Sequence, residues 1–343
     1  MPDLDARIVV CSPFQVLMAI EALDHFGIDA GRTELTLLHS SEPRSVTALR
    51  GTVEHAGLPW RVVDTGPRST LRQWSRASQI RALADQPADR LFVGDLRNPH
   101  MAFLASAAPP GTVHVVDDGR GTIQAAAARA AGEPLVPASA GRRLQLGLLG
   151  LQRPPASQVT FFSIFRLETS GDDRVVDNPL RRLRRQVSTT PVGDHVLLLG
   201  SPFVELGSMT SERYVDIVVT AARQLGGPVV FRPHRRERAD KLDALRARGV
   251  DIDPGDGPVE LALLEAPVLP RRVSSFFSTA TFTLWRLLGA SLEIDSFSLR
   301  PEDFTDDFLS WNDGVPDLLE QSDGAIPILE LDEVKAPTID QRG

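Results

Sequence analysis

Short unbroken apolar runs alternate along this chain with segments whose apolar residues recur every three or four positions. Residues 7–11, RIVVC, lack polar alternation, which suits a strand covered on both faces of a sheet. SPFQVLMAIEAL follows, with Val16, Leu17, Ile20 and Leu23 on one helical face and Ser12 and Pro13 as start signals. The same alternation continues through strand-like ELTLLH (34–39), a helix over 44–57, WRVVD (60–64) and a helix over 71–85. LFVGD (91–95), a small-residue helix near 99–108 and TVHVVDDG (112–119) complete the series. Strands interleaved with helices predict a mostly parallel sheet with helices on both faces.

After residue 194 the design repeats. HVLLLGSP (195–202), VVFRPH (229–234), RRVSSFFS (271–278) and SLEIDSF (291–297) read as strands or strands running into turns. Between them lie the amphipathic helix SERYVDIVVTAARQLG, the charged helix RRERADKLDALRARG stopped by Gly249, and TATFTLWRLLG. Residues 168–194 are polar and Pro-bearing and include RRLRR at 181–185. The expected organisation is therefore a Rossmann-like half over 1–180, a linker over 181–193 and a second Rossmann-like half over 194–343. A cleft would lie between the strand C-terminal ends of the two halves. One large doubly wound domain is the alternative. The short tail is acidic, and IPILEL (326–331) within it could add an edge strand.

Of the 343 residues, 42% are apolar and 24% charged, ordinary values for a globular chain. Basic residues number 37 and acidic residues 45, a net charge of −8, which argues against a general nucleic-acid binder. The charge is uneven: residues 1–193 hold 22 basic and 19 acidic groups, residues 194–343 hold 15 and 26. An anionic ligand in the acidic half needs focused donors, such as helix-start N–H groups and one or two Arg. Only Lys241 and Lys335 are lysine, which reads as coding bias. The single cysteine, Cys11, excludes an internal disulfide and is expected to be buried. No apolar stretch approaches a membrane span, and the acidic start lacks a signal-peptide layout, so a cytoplasmic protein is expected.

No G-x-G-x-x-G follows the first strand, no P-loop occurs, and no close His pair suggests a protein-held metal. Interest falls on four strand ends. In VVDDGRGT (115–122), Asp117 and Asp118 form either a capped turn or an acceptor-binding or base carboxylate, with Gly119 and Gly121 allowing the turn. In LLLGSPFVE (197–205), the Gly200-Ser201-Pro202 turn lets backbone approach a ligand, and Glu205 follows, solvated or catalytic. In VVFRPHRRE (229–237), His234 ends a strand beside Arg232, Arg235 and Arg236. As an imidazolium it could hydrogen-bond or protonate a phosphate leaving group, or it is a surface His among Arg. In SSFFSTATFTLW (274–285), Ser278 and Thr279 cap a helix or hold a phosphate.

Together CSPFQVLMAIEAL, VDDGRGT, LLLGSPFVE, RPHRRE, SSFFSTATFTL and GAIPIL resemble, in order from about residue 8 to 329, the bacterial sialyltransferases of glycosyltransferase family 52 and the related polysialyltransferase-like group. The resemblance implies a GT-B fold with an N-terminal acceptor half and a C-terminal half for a CMP-sugar. It also implies metal-independent, cofactor-free inverting transfer of sialic acid or a related nonulosonic acid to a glycan or glycolipid. By that resemblance His234 assists departure of the CMP phosphate. Gly200, Ser201, Pro202, Pro233, Arg235, Ser278 and Thr279 lie on the nucleotide side, and Ser12, Gln15, Asp117 and Gly119 on the acceptor side.

The base is open between Glu205, slightly favoured, and Asp118. The family places a carboxylate just after the Gly-Ser-Pro turn, where this chain has Phe203, and reads His-Pro where this chain has His234-Arg235. A different nucleotide sugar, or a catalytically silent binding protein of the same fold, are the alternatives. Arg142, Arg143 and the 181–185 cluster raise a peripheral contact with the inner face of a membrane. Oligomeric state is open, with a homodimer among the expectations.

Overall fold

The Ile, Val and Leu runs become strand cores because a strand flanked on both sides in a sheet, and covered above and below by helices, can bury every side chain. The computed structural model describes residues 4–39, 43–64, 70–86, 88–135, 140–253, 255, 257–276, 278–305 and 321–332. The chain divides into two compact units, Met1–Gln186 with Asp256–Leu261, and Val187–Gly255 with Ala262–Gly343.

Unit 1 contains strands β1 (Leu4–Val10), β2 (Thr33–His39), β3 (Trp60–Asp64), β4 (Ala88–Val93), β5 (Val113–Val116), β6 (Thr160–Ser163) and β7 (Arg174–Asp177). All neighbours pair in parallel in the order β3-β2-β1-β4-β5-β6-β7. Helices α1 (Pro13–Phe26), α2 (Pro43–Ala56), α3 (Thr70–Ala84), α4 (Pro99–Ala107), α5 (Arg120–Ala131), α6 (Ala140–Leu148) and α7 (Arg181–Val187) accompany them. Ile8 is paired with Leu35 on one side and Phe92 on the other, and all three side chains are buried. Each such side chain contributes about 1.5–3 kcal/mol by leaving water. Helix α1 begins as its start signals predict: Ser12 accepts from Gln15 N–H, Pro13 opens the helix, and Gly27 closes it at φ 64°. Cys11, expected in the interior, is half-buried against the unit 1 core. Arg129 and Asp173 form a buried bidentate pair that ties α5 to the turn before β7.

Unit 2 contains β8 (Val196–Leu199), β9 (Val229–Arg232), β10 (Asp251–Ile252), β11 (Arg272–Ser275), β12 (Glu293–Ser298) and β13 (Ile328–Glu330), again parallel, in the order β10-β9-β8-β11-β12-β13. Helices α8 (Ser211–Leu225), α9 (Ala239–Ala247), α10 (Val259–Glu265) and α11 (Thr279–Leu288) lie along the same stretch of chain. The edge strand expected within 326–331 is β13, paired with β12. Two Rossmann-like α/β units are thus present, as the alternation predicts.

Several boundaries differ from the expectations. Strands end before the Asp-Asp-Gly, Gly-Ser-Pro and Pro-His segments, because those residues enter turns instead of extending the ladder. Helix α9 starts at Ala239 and not directly after His234; residues 234–237 form a turn closed by Glu237 N–H donating to the His234 carbonyl at 2.8 Å. The expected linker opens with α7, whose first N–H groups, on Arg182 and Leu183, donate to the buried Glu21 carboxylate of α1. Part of the acidic tail, 333–343, lies outside the described residues. No helix is long and apolar enough to cross a membrane, among the described residues.

Candidate functional site

In an open parallel sheet, the strand order reverses direction at one point, and ligands bind beyond the strand C-termini there. In unit 2 that point lies between β8 and β11, with β9 on the other side of β8. Neighbouring strands lie about 4.8 Å apart. The segments after β8 (Gly200-Ser201-Pro202), β9 (Pro233-His234) and β11 (Phe276 to Thr279) therefore leave the sheet side by side.

Hydrogen bonds join these three segments. Gly200 N–H donates to the Arg232 carbonyl at 2.9 Å, and the Ser201 hydroxyl donates to the Phe276 carbonyl at 3.3 Å. Ser201 N–H donates to the Tyr214 hydroxyl at 2.8 Å, which in turn donates to Glu237 Oε1 at 2.9 Å. Glu237 Oε1 also accepts from His234 N–H at 3.2 Å. Lys241 Nζ stands 3.9 Å from the Tyr214 ring centre, 3.0 Å from Glu205 Oε2 and 3.5 Å from Glu237 Oε2. Glu205 Oε1 accepts from Arg238 N–H, the N-cap position of α9, at 3.0 Å. Two carboxylates thus converge on one buried ammonium. A Cβ at Gly200 would overlap Glu237 Oε1 and lie 2.7 Å from Phe231 Cζ, so this close approach requires glycine.

Burial dominates the electrostatics. It pushes the Glu237 carboxyl up to about 7, against the opposing pull of Lys241. It holds the Tyr214 phenol well above its ordinary range, with Glu237 adding to the effect. For His234, burial and then the charges of Arg235 and Arg236 lower the imidazole to about 4. The ring is therefore neutral at pH 7, unlike the imidazolium expected from sequence. Nδ1 accepts from Arg236 N–H at 3.2 Å, which assigns the ring hydrogen to Nε2. Arg235 and Arg236 are exposed, whereas Arg232 is buried and pairs with Asp253. Ser278 accepts from Ala280 N–H at 3.2 Å as the N-cap of α11, and the Thr279 carbonyl accepts from the Thr283 hydroxyl at 3.1 Å. Pro202 and Pro233 are half-buried.

In unit 1 the order reverses between β1 and β4. Ser12 and Gln15 follow β1, Asp95 and Arg97 follow β4, and Asp117 to Gly119 follow β5. Gln15 Oε1 accepts from Cys11 N–H at 2.7 Å, and a Cβ at Gly94 would overlap that carboxamide. Asp118 is reached by the Ser12 hydroxyl at 3.4 Å and by Arg97 Nη2 at 3.7 Å. Arg97 is also bound to Asp95 Oδ1 through Nε at 3.1 Å. Burial and then Asp95 raise Asp118 to about 6, while Gln15, Arg97 and Ser12 oppose them. Its side chain keeps 25% exposure. Asp117, expected to contact an acceptor, has no exposure and accepts from the Ser163 hydroxyl at 2.6 Å and Ile164 N–H at 2.7 Å. It ties the end of β5 to the end of β6. Burial raises it to about 7. Gly119 takes φ 60° as it turns the chain into α5.

Within unit 2 the structure brings together Gly200, Ser201, Glu205 and His234, and within unit 1 Ser12 and Asp118. Sequence reasoning missed Tyr214, Glu237 and Lys241, and also Asp95 and Arg97. Among the described residues, no group of three or more His, Cys, Asp or Glu side chains is arranged to hold a metal ion.

No family model and no curated protein sequence matches the chain. Among solved structures it is similar to MurG of Acinetobacter baumannii (13% identity, 96% of this chain and 86% of that one, TM-score 0.45). It is similar to a Methanocaldococcus jannaschii UDP-GlcNAc 2-epimerase bound to UDP-GlcNAc and UDP (14%, 94% and 92%, TM-score 0.47). A third is the GT-B domain of a Photobacterium damselae sialyltransferase (12%, 95% and 99%, TM-score 0.45).

Proposed function

We propose that the chain is a cytoplasmic, metal-independent inverting glycosyltransferase that moves sialic acid or a related nonulosonic acid from its CMP donor to a glycan or glycolipid hydroxyl. One observation carries the reading. At the adjacent ends of β8, β9 and β11, both nearby carboxylates, Glu205 and Glu237, are drawn inward onto Lys241. What remains at those strand ends is backbone N–H, hydroxyls, the His234 ring and the exposed guanidinium of Arg235, a donor set suited to a phosphate. The sequence blocks that resemble family 52 supply the donor class.

In this reading the acceptor oxygen attacks the anomeric carbon as the bond from that carbon to the phosphate oxygen breaks. The neutral ring of His234 donates Nε2–H to the departing phosphate oxygen, and Arg235 offsets its charge. The acceptor proton passes to Asp118. Asp118 is preferred to Glu205 because Glu205 is committed to Arg238 N–H and Lys241, whereas Asp118 is partly open and raised to about 6. Such a carboxylate is ionised at pH 7 yet more basic than an ordinary Asp.

A thermal-shift comparison of CMP, UDP, GDP and TDP tests the donor. CMP alone stabilises the chain, by about 2.7 kcal/mol at a hundredfold excess over Kd. His234→Ala keeps CMP binding and loses roughly 10²–10⁴-fold in transfer from, or hydrolysis of, a CMP-sugar. Stabilisation by UDP in place of CMP moves the donor to a uridine nucleotide. CMP binding without turnover on any acceptor makes the chain a binding protein, and stabilisation by none of the four ends the reading.

A further inference from the structure

The two most exposed large apolar side chains among the described residues are Leu144, at 66%, and Leu148, at 67%. They stand four residues apart on α6 and so share one face of that helix. The opposite side of α6 is anchored in the unit 1 core by the buried Leu146. Helix α6 lies against α3: Gln145 Nε2 donates to Gln73 Oε1 at 2.8 Å, and Arg81 Nη1 donates to the Leu149 carbonyl at 2.6 Å. Trp74, the residue after Gln73, is 47% exposed. Charge separates this surface from the rest of the chain. Helix α3 carries Arg72, Arg76 and Arg81, α6 carries Arg142 and Arg143, and neither contains an Asp or Glu. Five positive charges without a carboxylate therefore mark two adjoining helices of a protein whose net charge is −8.

We propose that the α3–α6 face of unit 1 is a docking surface for an anionic lipid bilayer. Two weak attractions combine there. Leucine and tryptophan side chains enter the boundary between headgroups and acyl chains, while arginines are drawn to the anionic surface. Arginine suits both, because its stem covers apolar surface while its guanidinium stays with the phosphates. The feature is convex, two leucines projecting from one helix, rather than a groove that would receive a peptide. Self-association through this face would set five Arg against five Arg across a two-fold axis. With no described helix able to cross a membrane, the contact is peripheral. It does not depend on the donor or the reaction proposed above.

Vesicle co-sedimentation of the full chain tests it without any activity measurement. The wild type pellets with phosphatidylglycerol-containing vesicles at about 0.1 M salt, is released at about 1 M salt, and does not pellet with pure phosphatidylcholine. Leu144→Ser/Leu148→Ser and, separately, Arg142→Glu/Arg143→Glu each lower the bound fraction by about tenfold or more. Trp74→Ser, a single exposed change on the other helix, lowers it by a smaller factor. Circular dichroism melting confirms that each variant is folded. Failure of the wild type to bind anionic vesicles at low salt overturns the proposal, as does undiminished binding by both double variants. A dimer in solution that only the leucine variant dissociates, without vesicle binding, assigns the face to a second copy. Loss of an acidic protein partner, without vesicle binding, assigns it to that partner.

Discussion

In unit 1 the residues after β1, β4 and β5 leave one carboxylate, Asp118, partly open to solvent, whereas in unit 2 the residues after β8 and β9 turn both Glu205 and Glu237 inward onto Lys241. Both clusters occupy the same place in their sheets, beyond the strand C-termini where the order reverses. Both also use a glycine at a strand end to admit a side-chain oxygen from a neighbouring element: Gly94 with Gln15, Gly200 with Glu237. The difference lies in what each cluster does with negative charge. Unit 1 raises a carboxylate's basicity and keeps it reachable. Unit 2 sequesters its carboxylates and leaves donors at the surface. A fold repeated twice thus yields one end suited to accepting a proton and another suited to holding an anion.

The sharpest way to break that contrast is at Lys241. Its side chain is 1% exposed, between two carboxylates and above the Tyr214 ring. Lys241→Met leaves Glu205 and Glu237 uncompensated in the interior and should cost about 3–5 kcal/mol, read by urea unfolding. Adding Glu237→Gln to Lys241→Met should recover part of that loss, since one buried charge is then removed. A cost of a few tenths of a kcal/mol for Lys241→Met would mean the cluster is solvated and the contrast with unit 1 is false.

The glycines give a smaller effect and compare the units directly. Gly200→Ala places a methyl against Glu237 Oε1 and the Phe231 ring, both buried in a hydrogen-bonded core, and should cost about 1–3 kcal/mol. Gly94→Ala meets only the Gln15 side chain, which can rotate away at the expense of its hydrogen bond from Cys11 N–H, about 1 kcal/mol. Urea unfolding of the two variants side by side should rank Gly200→Ala as the more destabilised. The reverse order would place the rigid cluster in unit 1.

Much of this contrast can be read in the sequence, and what cannot has identifiable physical causes. Uninterrupted runs such as RIVVC and HVLLLG mark central strands because only strands buried on both faces tolerate them. Edge strand β7, RVVD, is mostly exposed and lies inside a polar stretch, so its pattern is that of a loop. Strand β6 is four residues long and follows Pro154 and Pro155, too short for a periodic signal. Helix α7 has only Leu183 and Val187 to bury, and four of its seven residues are Arg. At the candidate site, strand-end motifs pointed to Gly200, Ser201, His234 and Asp118, since turn residues after apolar runs are visible in one dimension. Tyr214 was hidden as one apolar position of an amphipathic helix, and Glu237 and Lys241 as charges of an apparently solvated one. A signal for Lys241 did exist. A chain with 35 Arg and 2 Lys places one of those lysines at a buried position, where a compact ammonium fits between two carboxylates and an aromatic face.

The smallest predicted effect separates the two candidate bases. If Asp118 accepts the acceptor proton, kcat/KM must rise with pH through about 6 and level off above it, because only the ionised carboxylate can act. His234, lowered to about 4, is neutral across that interval and adds no limb there. Asp118→Asn should remove the limb together with most of the activity. Arg97 favours the ionised form of Asp118, so Arg97→Gln should move the limb to higher pH by less than about one unit, a severalfold loss near pH 6 that fades by pH 8. Glu205→Gln provides the counterpart in unit 2. It removes one of the two carboxylates on Lys241 and lowers stability, yet leaves the position of the limb unchanged. A limb that stays in place in Arg97→Gln and disappears in Glu205→Gln would transfer the base to unit 2, and the division between an anion-holding unit and a proton-accepting unit would fall with it.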